Sequence, residues 1–468
     1  MWSFDSFGDK LAVIEDGGTE LSYAELAAWG ERIARSVGGR CVVFSLCTNT
    51  VGSVAGYAAF MDHGVVPVLL NAHLDEALLK DLIEAYRPAF IWTPEERLAL
   101  FAGMEGVFSC FGYHLMRTGF ERTYDLHPDL GLLLTTSGST GSPKFVRQSY
   151  KNVESNARSI VEYLALDSTE RPISTLPMNY TYGLSIINSH FFVGATLLMT
   201  EKTLMQKEFW SFFKEREATS FGGVPYTYEM LDKLRFYRMQ LPSLRYTTQA
   251  GGKLAPELHR KMAESAAENG RKFIVMYGQC EATARMGYLP AEDALRKVGS
   301  MGVAIPGGKL YITDVNGNEI HEPHVTGELI YEGENVTMGY AERGEELAKG
   351  DERGGRLETG DMAQMDEDGY FYIVGRKKRF LKIYGNRVNL DELDRLIKAN
   401  FDYIDCATAG VDDHLYIFVT DESLAEDVKN FVVGKTGLNH AAFQTVCIEK
   451  IPKNDAGKVL YKDLAAYY

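Results

Sequence analysis

The chain has 468 residues, which is long enough for two domains with a substantial buried core. Hydrophobic residues make up 45% and charged residues 24%, a balance that argues against a disordered, collagenous or coiled-coil chain. The 49 Lys and Arg against 64 Asp and Glu give a net charge of −15, so binding to a nucleic acid would need a local basic patch. The basic residues are dispersed apart from one short run at 376–379.

The six cysteines include no CxxC pair that would suggest zinc, and they are too few for a disulfide framework in a chain of this length. Residues 1–10 carry acidic side chains and no apolar core, unlike a signal peptide. The most apolar long stretch, 183–199, is too short and too polar to span a bilayer. These features predict a soluble, cytoplasmic protein.

The first third of the chain alternates helix and strand patterns. Ser22 and Glu25 form a capping box before a helix, and residues 75–86 form an amphipathic helix. Apolar runs at 41–46, 65–70 and 90–92 predict buried strands, and the pattern recurs around a helix from Pro256. Apolar strands separated by helices predict parallel sheets that are covered on both faces.

Beyond residue 300 the pattern changes to β-hairpins, with an Asn-Gly pair at 316 and an Asp-Gly pair at 368. From about residue 377 a smaller α+β unit follows, with helices from 390 and 424 and strands at 406–410 and 415–420. We therefore expect an α/β protein. Its large domain, 1–374, would consist of stacked helix-covered sheets plus a β-rich subdomain, and its small domain would span 375–468.

The segment with the clearest chemistry is LLLTTSGSTGSPKFV at 132–146. An apolar strand leads into a loop of Thr, Ser and Gly that ends in Lys144, and a helix begins near Ser149. Glycines let the backbone approach phosphate oxygens, hydroxyl and N–H groups donate to them, and Lys144 adds a positive charge. The spacing differs from GxxxxGK[ST], which disfavours a Walker-type NTPase. Taken alone, the segment could also be a solvated Ser/Gly loop.

Five segments, in chain order, resemble the signatures of the adenylate-forming superfamily of acyl-CoA synthetases, luciferases and peptide-synthetase adenylation domains. They are the loop at 132–146, YGQCEA at 277–282, LETGD at 357–361, GRKKRFLKIYGNRVNLDEL at 375–393 and PKNDAGKVLYKDL at 452–464. The resemblance implies that a carboxylate attacks the α-phosphate of ATP, which gives an acyl adenylate and pyrophosphate. It further implies Mg²⁺ and, as acyl acceptor, CoA or the phosphopantetheine of a carrier protein.

The resemblance also assigns roles to single residues. Lys458 would bridge the carboxylate and the α-phosphate, with Glu281 and Lys144 as the other catalytic residues. Glu281 and Thr140 would contact Mg²⁺. The expected phosphate-binding residues are Thr136, Ser137, Gly138, Ser139, Thr140, Gly141, Lys144 and Cys280. The expected adenine- and ribose-binding residues are Gly251, Gly252, Lys253, Tyr277, Gly278, Asp361 and Arg376.

The segment that matches the family's acyl pocket is aromatic and apolar, and MNYTYGLS at 178–185 contains no carboxylate to pair with an α-amino group. The candidate pocket residues, several of which could be ordinary core, are Tyr180, Tyr182, Gly223, Val224, Tyr226 and Ala282. We therefore expect an aromatic or medium-sized apolar acid. Arg285 could serve a second polar group of the substrate or form a salt bridge on a helix.

The basic run at 376–379 falls in the family's hinge segment. By resemblance the small domain rotates about Lys378 between two poses, and Gly385 reaches the pantetheine tunnel in the second pose. Lys377 and Arg379 could meet a CoA phosphate or an acidic carrier protein, or they could be solvated turn charges.

Three positions depart from the family pattern. Phe145 replaces the glycine that follows the loop lysine, which predicts a bulkier loop exit. Cys280 replaces a threonine, and because a thiol is a poorer donor, one phosphate contact should weaken by on the order of 1 kcal/mol. Tyr180 stands where many members have histidine. None of these removes a charge that the first half-reaction needs.

The sequence thus predicts an AMP-forming carboxylate–thiol ligase that acts as a monomer or homodimer. Transfer to a carrier-protein pantetheine or to an amine is the nearest alternative, and we expect any carrier to act in trans. An inactive nucleotide or acyl sensor would need the loss of charged residues that are all present. No feature favours a luciferase-type oxidase.

Overall fold

The computed structural model describes residues 2–121, 124–135, 144–384, 386–401, 404–453 and 459–467. The chain forms two compact units. The first comprises Met1–Leu310 and Tyr331–Leu357, and the second comprises Tyr311–Ile330 and Glu358–Tyr468. The predicted domain boundary at residue 375 stays a prediction.

Several helices begin after a residue whose side chain accepts a hydrogen bond from the first turn. The Ser22 hydroxyl accepts a hydrogen bond from the Glu25 N–H, and the Glu25 carboxylate accepts one from the Ser22 N–H, which forms the predicted capping box. The helices of the first unit are α1 (Tyr23–Val37), α2 (Val51–Asp62), α3 (Glu76–Tyr86), α4 (Tyr150–Leu164), α5 (Thr181–Phe192), α6 (Lys207–Glu215), α7 (Pro225–Lys233) and α8 (Pro256–Glu268). The second unit contains α9 (Leu390–Asn400), α10 (Ala425–Thr436) and α11 (Tyr461–Leu464).

Strands run through the whole chain. The first group is β1 (Leu11–Glu15), β2 (Glu20–Ser22), β3 (Val42–Cys47), β4 (Val66–Asn71), β5 (Phe90–Pro94), β6 (Glu105–Cys110), β7 (Tyr113–Arg117), β8 (Leu130–Thr135) and β9 (Phe145–Ser149). The middle group is β10 (Leu197–Met199), β11 (Ser220–Gly223), β12 (Tyr246–Gln249), β13 (Lys272–Tyr277), β14 (Gly287–Tyr288) and β15 (Val303–Ala304). The β-rich part contains β16 (Gly308–Thr313), β17 (Glu319–Ile320), β18 (Gly327–Gly333), β19 (Gly339–Ala341), β20 (Arg356–Met365) and β21 (Phe371–Arg376). The last group is β22 (Phe380–Ile383), β23 (Asn386–Asn389), β24 (Cys406–Val411), β25 (His414–Val419) and β26 (Phe443–Cys447).

The main sheet of the first unit has the order β19-β9-β8-β4-β3-β5-β7-β6, with β8, β4, β3 and β5 parallel at its centre. Neighbouring residues of β3 face opposite sides: Phe44 packs with Leu82 of α3, and Val43 packs with Ile33 of α1 and Phe60 of α2. The predicted parallel sheet with both faces covered is therefore confirmed. Two smaller sheets, β11-β12-β13-β14-β15 and β10-β1-β2, complete this unit. Within the described ranges, no helix combines the length and apolarity that crossing a bilayer requires.

The second unit contains most of a further sheet, β17-β16-β18-β20-β21. The predicted turns at 316 and 368 join β16 to β17 and β20 to β21, and Gly317 and Gly369 take φ values of 84° and 82° that suit glycine. Towards the C-terminus, β22-β23 and β24-β25-β26 pack with α9 and α10 around a core that includes Leu393, Ile417 and Val428. The predicted α/β class is confirmed.

The expectation that Phe145 makes the loop exit bulkier is wrong. Its side chain is 1% exposed, and its ring centroid lies 4.6 Å from that of Tyr86 and 6.4 Å from that of Phe44. Because β9 begins at this residue, the ring packs into the core on the α3 side of the main sheet. The residue therefore fills core space rather than loop space.

Candidate active site

The end of the predicted phosphate-binding loop lies beside a tyrosine that the sequence did not single out. Lys144 comes immediately before β9, and its Nζ lies 3.5 Å from the ring centroid of Tyr340 on β19. These two strands are antiparallel neighbours that pair Val146 with Tyr340, so the register of the main sheet sets this contact. The other predicted loop residues, Thr136, Ser137, Gly138, Ser139, Thr140 and Gly141, lie outside the described residues, as do Lys458 and Gly385.

Glu281 lies in the short 3₁₀ turn Cys280–Ala282 that follows β13. Tyr340 Oη donates a 2.7 Å hydrogen bond to Glu281 Oε1. Arg353 donates a 3.2 Å hydrogen bond to the Glu281 carbonyl, and its guanidinium carbon lies 4.7 Å from the Tyr340 ring centroid. Two cations and one carboxylate thus surround one phenol ring, which leaves a local charge of about +1 beside the phosphate loop.

The Tyr340 hydroxyl remains a hydrogen-bond donor at neutral pH. Burial, followed by the Glu281 carboxylate, raises the pKa of Tyr340 to about 12. The phenol therefore stays protonated at neutral pH and holds one oxygen of the Glu281 carboxylate, which leaves the other oxygen for a ligand. Sequence reasoning missed Tyr340 and Arg353, because no local pattern links either residue to Glu281.

The backbone just beyond Glu281 is strained. Thr283 has φ 63° and ψ −61°, and the Ala284 N–H donates a 2.7 Å hydrogen bond to the Ala282 carbonyl. This is a γ-turn of the rare, strained type, and it is unusual for a β-branched residue. Strained turns of this kind persist where the surrounding structure enforces them, and they concentrate at functional sites.

Two residues enforce the turn. Asn335 Nδ2 donates hydrogen bonds of 2.9 Å to the Ala282 carbonyl and 3.0 Å to the Arg285 carbonyl. Gly278 packs beneath the turn, where a Cβ atom would lie 1.7 Å from the Ala284 carbonyl oxygen. The glycine in the predicted Tyr-Gly-x-x-Glu motif is therefore required by close backbone approach.

Residues predicted for the adenine and for the acyl group share one wall. Gly251 has φ 84°, and a Cβ atom there would lie 2.8 Å from Tyr180 Oη and 3.0 Å from Val224 Cγ1. The rings of Tyr180 and Tyr182 are 6.3 Å apart, and Tyr182 Oη lies 2.7 Å from Thr248 Oγ1. The structure thus brings these predicted residues together in one aromatic wall of the first unit.

The remaining predicted residues of this region differ in exposure. Tyr226 is 59% exposed and lies outside the buried wall, so its contact with an acid stays a prediction. Cys280 is buried. The pKa of Tyr180 is raised by the burial of its own ring and, to a smaller extent, by the nearby Cys280 thiol. Gly223 and Ala282 are buried, Gly252 and Lys253 are exposed, and Tyr277 is half-buried at the end of β13.

The predicted ribose-binding pair is joined within the second unit. Asp361 of β20 and Arg376 of β21 are register partners, and Arg376 Nε lies 2.6 Å from Asp361 Oδ1. Asp361 is buried while Arg376 is exposed. The pair therefore presents a carboxylate oriented by a neighbouring cation, an arrangement that suits hydroxyl donors.

Two further cations of the predicted hinge segment, Lys377 and Arg379, have carboxylate partners. Lys377 Nζ lies 2.7 Å from Glu328 Oε2. Arg379 is buried, with Nε 2.7 Å from Asp391 Oδ1 and Nη2 2.7 Å from Asp394 Oδ2. The expectation that Arg379 is a solvated turn charge or meets a CoA phosphate is therefore wrong, because two carboxylates already hold it inside the second unit.

The described residues contain no group of three or more His, Cys, Asp and Glu side chains arranged around a metal ion. A single carboxylate such as Glu281 nevertheless suits Mg²⁺, which is usually bound through one or two carboxylates together with substrate phosphates and water. The site thus fits a metal ion that arrives with a nucleotide.

Comparison with known proteins identifies the family. The family model described as AMP-binding enzyme matches residues 2–341. The chain is 28% identical to the oxalate–CoA ligase of Arabidopsis thaliana over 73% of this chain and 68% of that protein. It is 27% identical to the indoleacetate–CoA ligase of Aromatoleum aromaticum over 97% of this chain and 96% of that protein. The o-succinylbenzoate CoA synthetase of Bacillus subtilis, solved with its acyl-adenylate intermediate, shares the fold with a TM-score of 0.78 and 21% identity, over 98% of this chain and 96% of that one. The chain belongs to the AMP-binding enzyme family, which confirms the resemblance to adenylate-forming enzymes.

Proposed function

We propose that this enzyme is an ATP-dependent ligase that activates a carboxylic acid as an acyl adenylate and transfers the acyl group to the thiol of CoA. The family match and the CoA ligases among its relatives support this reaction. The observation that carries the proposal is the group of Lys144, Tyr340, Glu281 and Arg353, which places an oriented carboxylate and two cations at the end of the phosphate loop.

In the first step, a carboxylate oxygen of the acid attacks the α-phosphorus of ATP, and the bond from that phosphorus to the pyrophosphate oxygen breaks. Lys144 and Arg353 supply fixed positive charge for the negative charge that gathers on the phosphates. Glu281 would hold Mg²⁺, which when bound would neutralise part of that charge. Tyr340 keeps Glu281 in place through a hydrogen bond from its hydroxyl, which stays protonated at neutral pH.

In the second step, the CoA sulfur attacks the acyl carbon, the thiol proton is released, and the bond from that carbon to the AMP oxygen breaks. We assign to Lys458 the alignment of carboxylate and α-phosphate in the first step. Gly385 would line the path of the pantetheine arm in the second step.

A rotation about Lys378 between the two steps has support from the ion pairs around it. Upstream, Arg376 and Lys377 pair with the sheet that contains β18 and β20. Downstream, Arg379 pairs with residues of α9. The side-chain partners therefore change from one element to another across Lys378, while the Arg376 N–H donates a 2.9 Å hydrogen bond to Asp391 Oδ2 of α9 that a rotation would have to break.

The aromatic wall of Tyr180, Tyr182 and Val224 supports an aromatic or apolar acid as substrate. The relatives' names include oxalate, a small diacid, and indoleacetate, an aromatic monoacid, so the names leave this choice open. Six cysteines are too few for a disulfide framework in a chain of this length, which supports a reducing compartment such as the cytoplasm.

The test is ATP–pyrophosphate exchange against a panel of aromatic and aliphatic acids, followed by mass spectrometry of the products. Lys458→Ala and Glu281→Gln should each lower exchange by a factor of about 100 or more. Lys450→Ala, a change at an exposed lysine of the same segment, should leave it unchanged. Wild-type exchange in Lys458→Ala would refute the role of that lysine. Acyl transfer to a holo-carrier protein or an amine, but not to CoA, would overturn the choice of acceptor.

A further inference from the structure

A buried guanidinium lies behind the aromatic wall of the first unit. Arg285 follows the strained turn at Thr283, and its side chain is 3% exposed. Its Nε donates a 3.1 Å hydrogen bond to Ser185 Oγ of α5, and its Nη1 donates a 2.9 Å bond to Tyr163 Oη of α4. The remaining contact of Nη1 is the thioether sulfur of Met276, 3.1 Å away. Nη2 makes no hydrogen bond to any described residue.

The other buried arginines have carboxylate partners. Arg147, which is 0% exposed, lies 2.6 Å from Glu352 Oε2, and Arg379, which is 8% exposed, pairs with both Asp391 and Asp394. Arg285 has only neutral partners among the described residues. Since an isolated charge is costly to bury, a guanidinium with no counterion and two unused donors indicates an anionic partner from outside the chain.

The surroundings of Arg285 are neutral as well as buried. Its guanidinium carbon lies 5.3 Å from the ring centroid of Tyr182. Burial lowers the pKa of nearby His190 to about 4, so this imidazole is uncharged at neutral pH. His190 is further engaged by the Ile186 carbonyl and by Tyr246 Oη, at 2.8 and 3.1 Å from its two ring nitrogens. The side chains of α5 that lie near Arg285 therefore offer no negative charge to balance its guanidinium.

The position of Arg285 relates it to the acyl group. Tyr182 lies near both the Arg285 guanidinium and the Tyr180 ring, and Tyr180 packs against Gly251 and near Val224 of the predicted adenine and acyl regions. A substrate long enough to extend along Tyr180 and Tyr182 would bring its far end near Arg285.

We infer that Arg285 binds a second acidic group at the far end of the carboxylic acid substrate. This inference rests on the proposed function and narrows its substrate class to acids with an apolar body and two acidic ends. Nη2 supplies two N–H donors on one edge of the guanidinium, and a carboxylate accepts such paired donors well. The second acid is then the counterion that the buried cation lacks.

The experiment compares matched acids that differ only at the far end: hexanoate with adipate, and benzoate with terephthalate. In wild-type enzyme, kcat/KM for ATP–pyrophosphate exchange should be higher for at least one diacid than for its monoacid, by a factor of about 30 or more. Monomethyl adipate, which keeps the shape but lacks the second charge, should behave like hexanoate.

Two variants locate the effect. Arg285→Gln should lower the diacid preference to a factor of about 3 or less through a rise in KM for the diacid, and Arg285→Lys should retain part of it. Arg245→Gln, at an arginine that pairs with Glu170, should leave the preference unchanged. If Arg285→Gln does not fold, the comparison of adipate with monomethyl adipate in wild-type enzyme still tests whether the second charge is recognised.

The outcomes separate the two proposals. Exchange with the monoacids and no preference for either diacid would overturn the role of Arg285 and leave the proposed function intact. An equal loss of both substrates in a folded Arg285→Gln would also overturn it, because that is the effect of a structural residue. Absence of exchange with every acid of the broader panel would instead refute the proposed function.

Discussion

Replacing Tyr340 with Phe tests the contact on which the site is built. The change keeps the ring that faces Lys144 and removes the hydroxyl that donates to Glu281 Oε1 at 2.7 Å. A hydrogen bond to a charged acceptor contributes about 1.5–3 kcal/mol. At 1.36 kcal/mol for each tenfold change in rate, its complete loss would slow the reaction about 10- to 150-fold. Because Glu281 is half-buried and water can replace part of the contact, we expect a decrease of about 10- to 30-fold.

The assay is ATP–pyrophosphate exchange at saturating acid, titrated with Mg²⁺. Tyr340→Phe should lower the rate and raise the Mg²⁺ concentration needed for half-maximal exchange, since the freed carboxylate is less well oriented. Tyr23→Phe is the matched control, because it removes a buried hydroxyl that donates a 2.6 Å bond to the Ala195 carbonyl far along the sequence. Exchange by Tyr340→Phe within twofold of wild type at every Mg²⁺ concentration would refute the reasoning.

Three further changes have definite expected outcomes. Burial lowers the pKa of His190 from 6.5 to about 4, so between these values the unfolded chain binds more protons than the folded one. The free energy of unfolding should therefore fall by about 3 kcal/mol as the pH is lowered from 6.5 to 4, and urea unfolding of His190→Asn should lack this slope. Gly278→Ala should abolish exchange through its clash with a backbone carbonyl, whereas Gly39→Ala, with open space around it, should not; an active Gly278→Ala would contradict the packing. Asp394→Asn should raise hydrogen exchange in the second unit more than Asp391→Asn, because Asp394 is the more buried partner, and equal effects would argue against it.

The order and type of the elements were predictable because their signals are local. The capping box at Ser22, the apolar runs of β3 and β4 and the glycine of each hairpin lie within the element that they specify. The five motifs likewise named the family, since each is a short contiguous segment. This success comes from residue types that act on neighbours a few positions away.

The contacts of the site were not predictable, because they join distant positions. Tyr340 lies 59 residues beyond Glu281 and meets it only because β19 pairs with β9 at the edge of the main sheet. The turn at Thr283 carries no glycine or proline, and its strain is enforced by Asn335 from elsewhere in the chain. Such features arise from tertiary packing that overrides local preference.

The error at Arg379 has the same origin. In a run of four basic residues, the ordinary interpretation is a solvated turn. The carboxylates that bury Arg379 lie 12 and 15 residues further on, one turn apart on α9. The spacing of Asp391 and Asp394 on one helix face was visible in the sequence, but nothing local indicated which cation would meet them.

The ion pairs on the two sides of Lys378 differ in how they respond to salt. Arg376 and Lys377 are exposed, but their partners Asp361 and Glu328 are largely buried, so dissolved ions reach these pairs only from the side of the cation. Arg379 is buried and paired with Asp391 and Asp394, so dissolved ions have little access to it. The pairs of Arg376 and Lys377 are therefore more open to dissolved ions than the pairs of Arg379. Because the Arg376 N–H also donates to Asp391 Oδ2 and β21 pairs with β20, salt would weaken these ion pairs without detaching the strand from its neighbours.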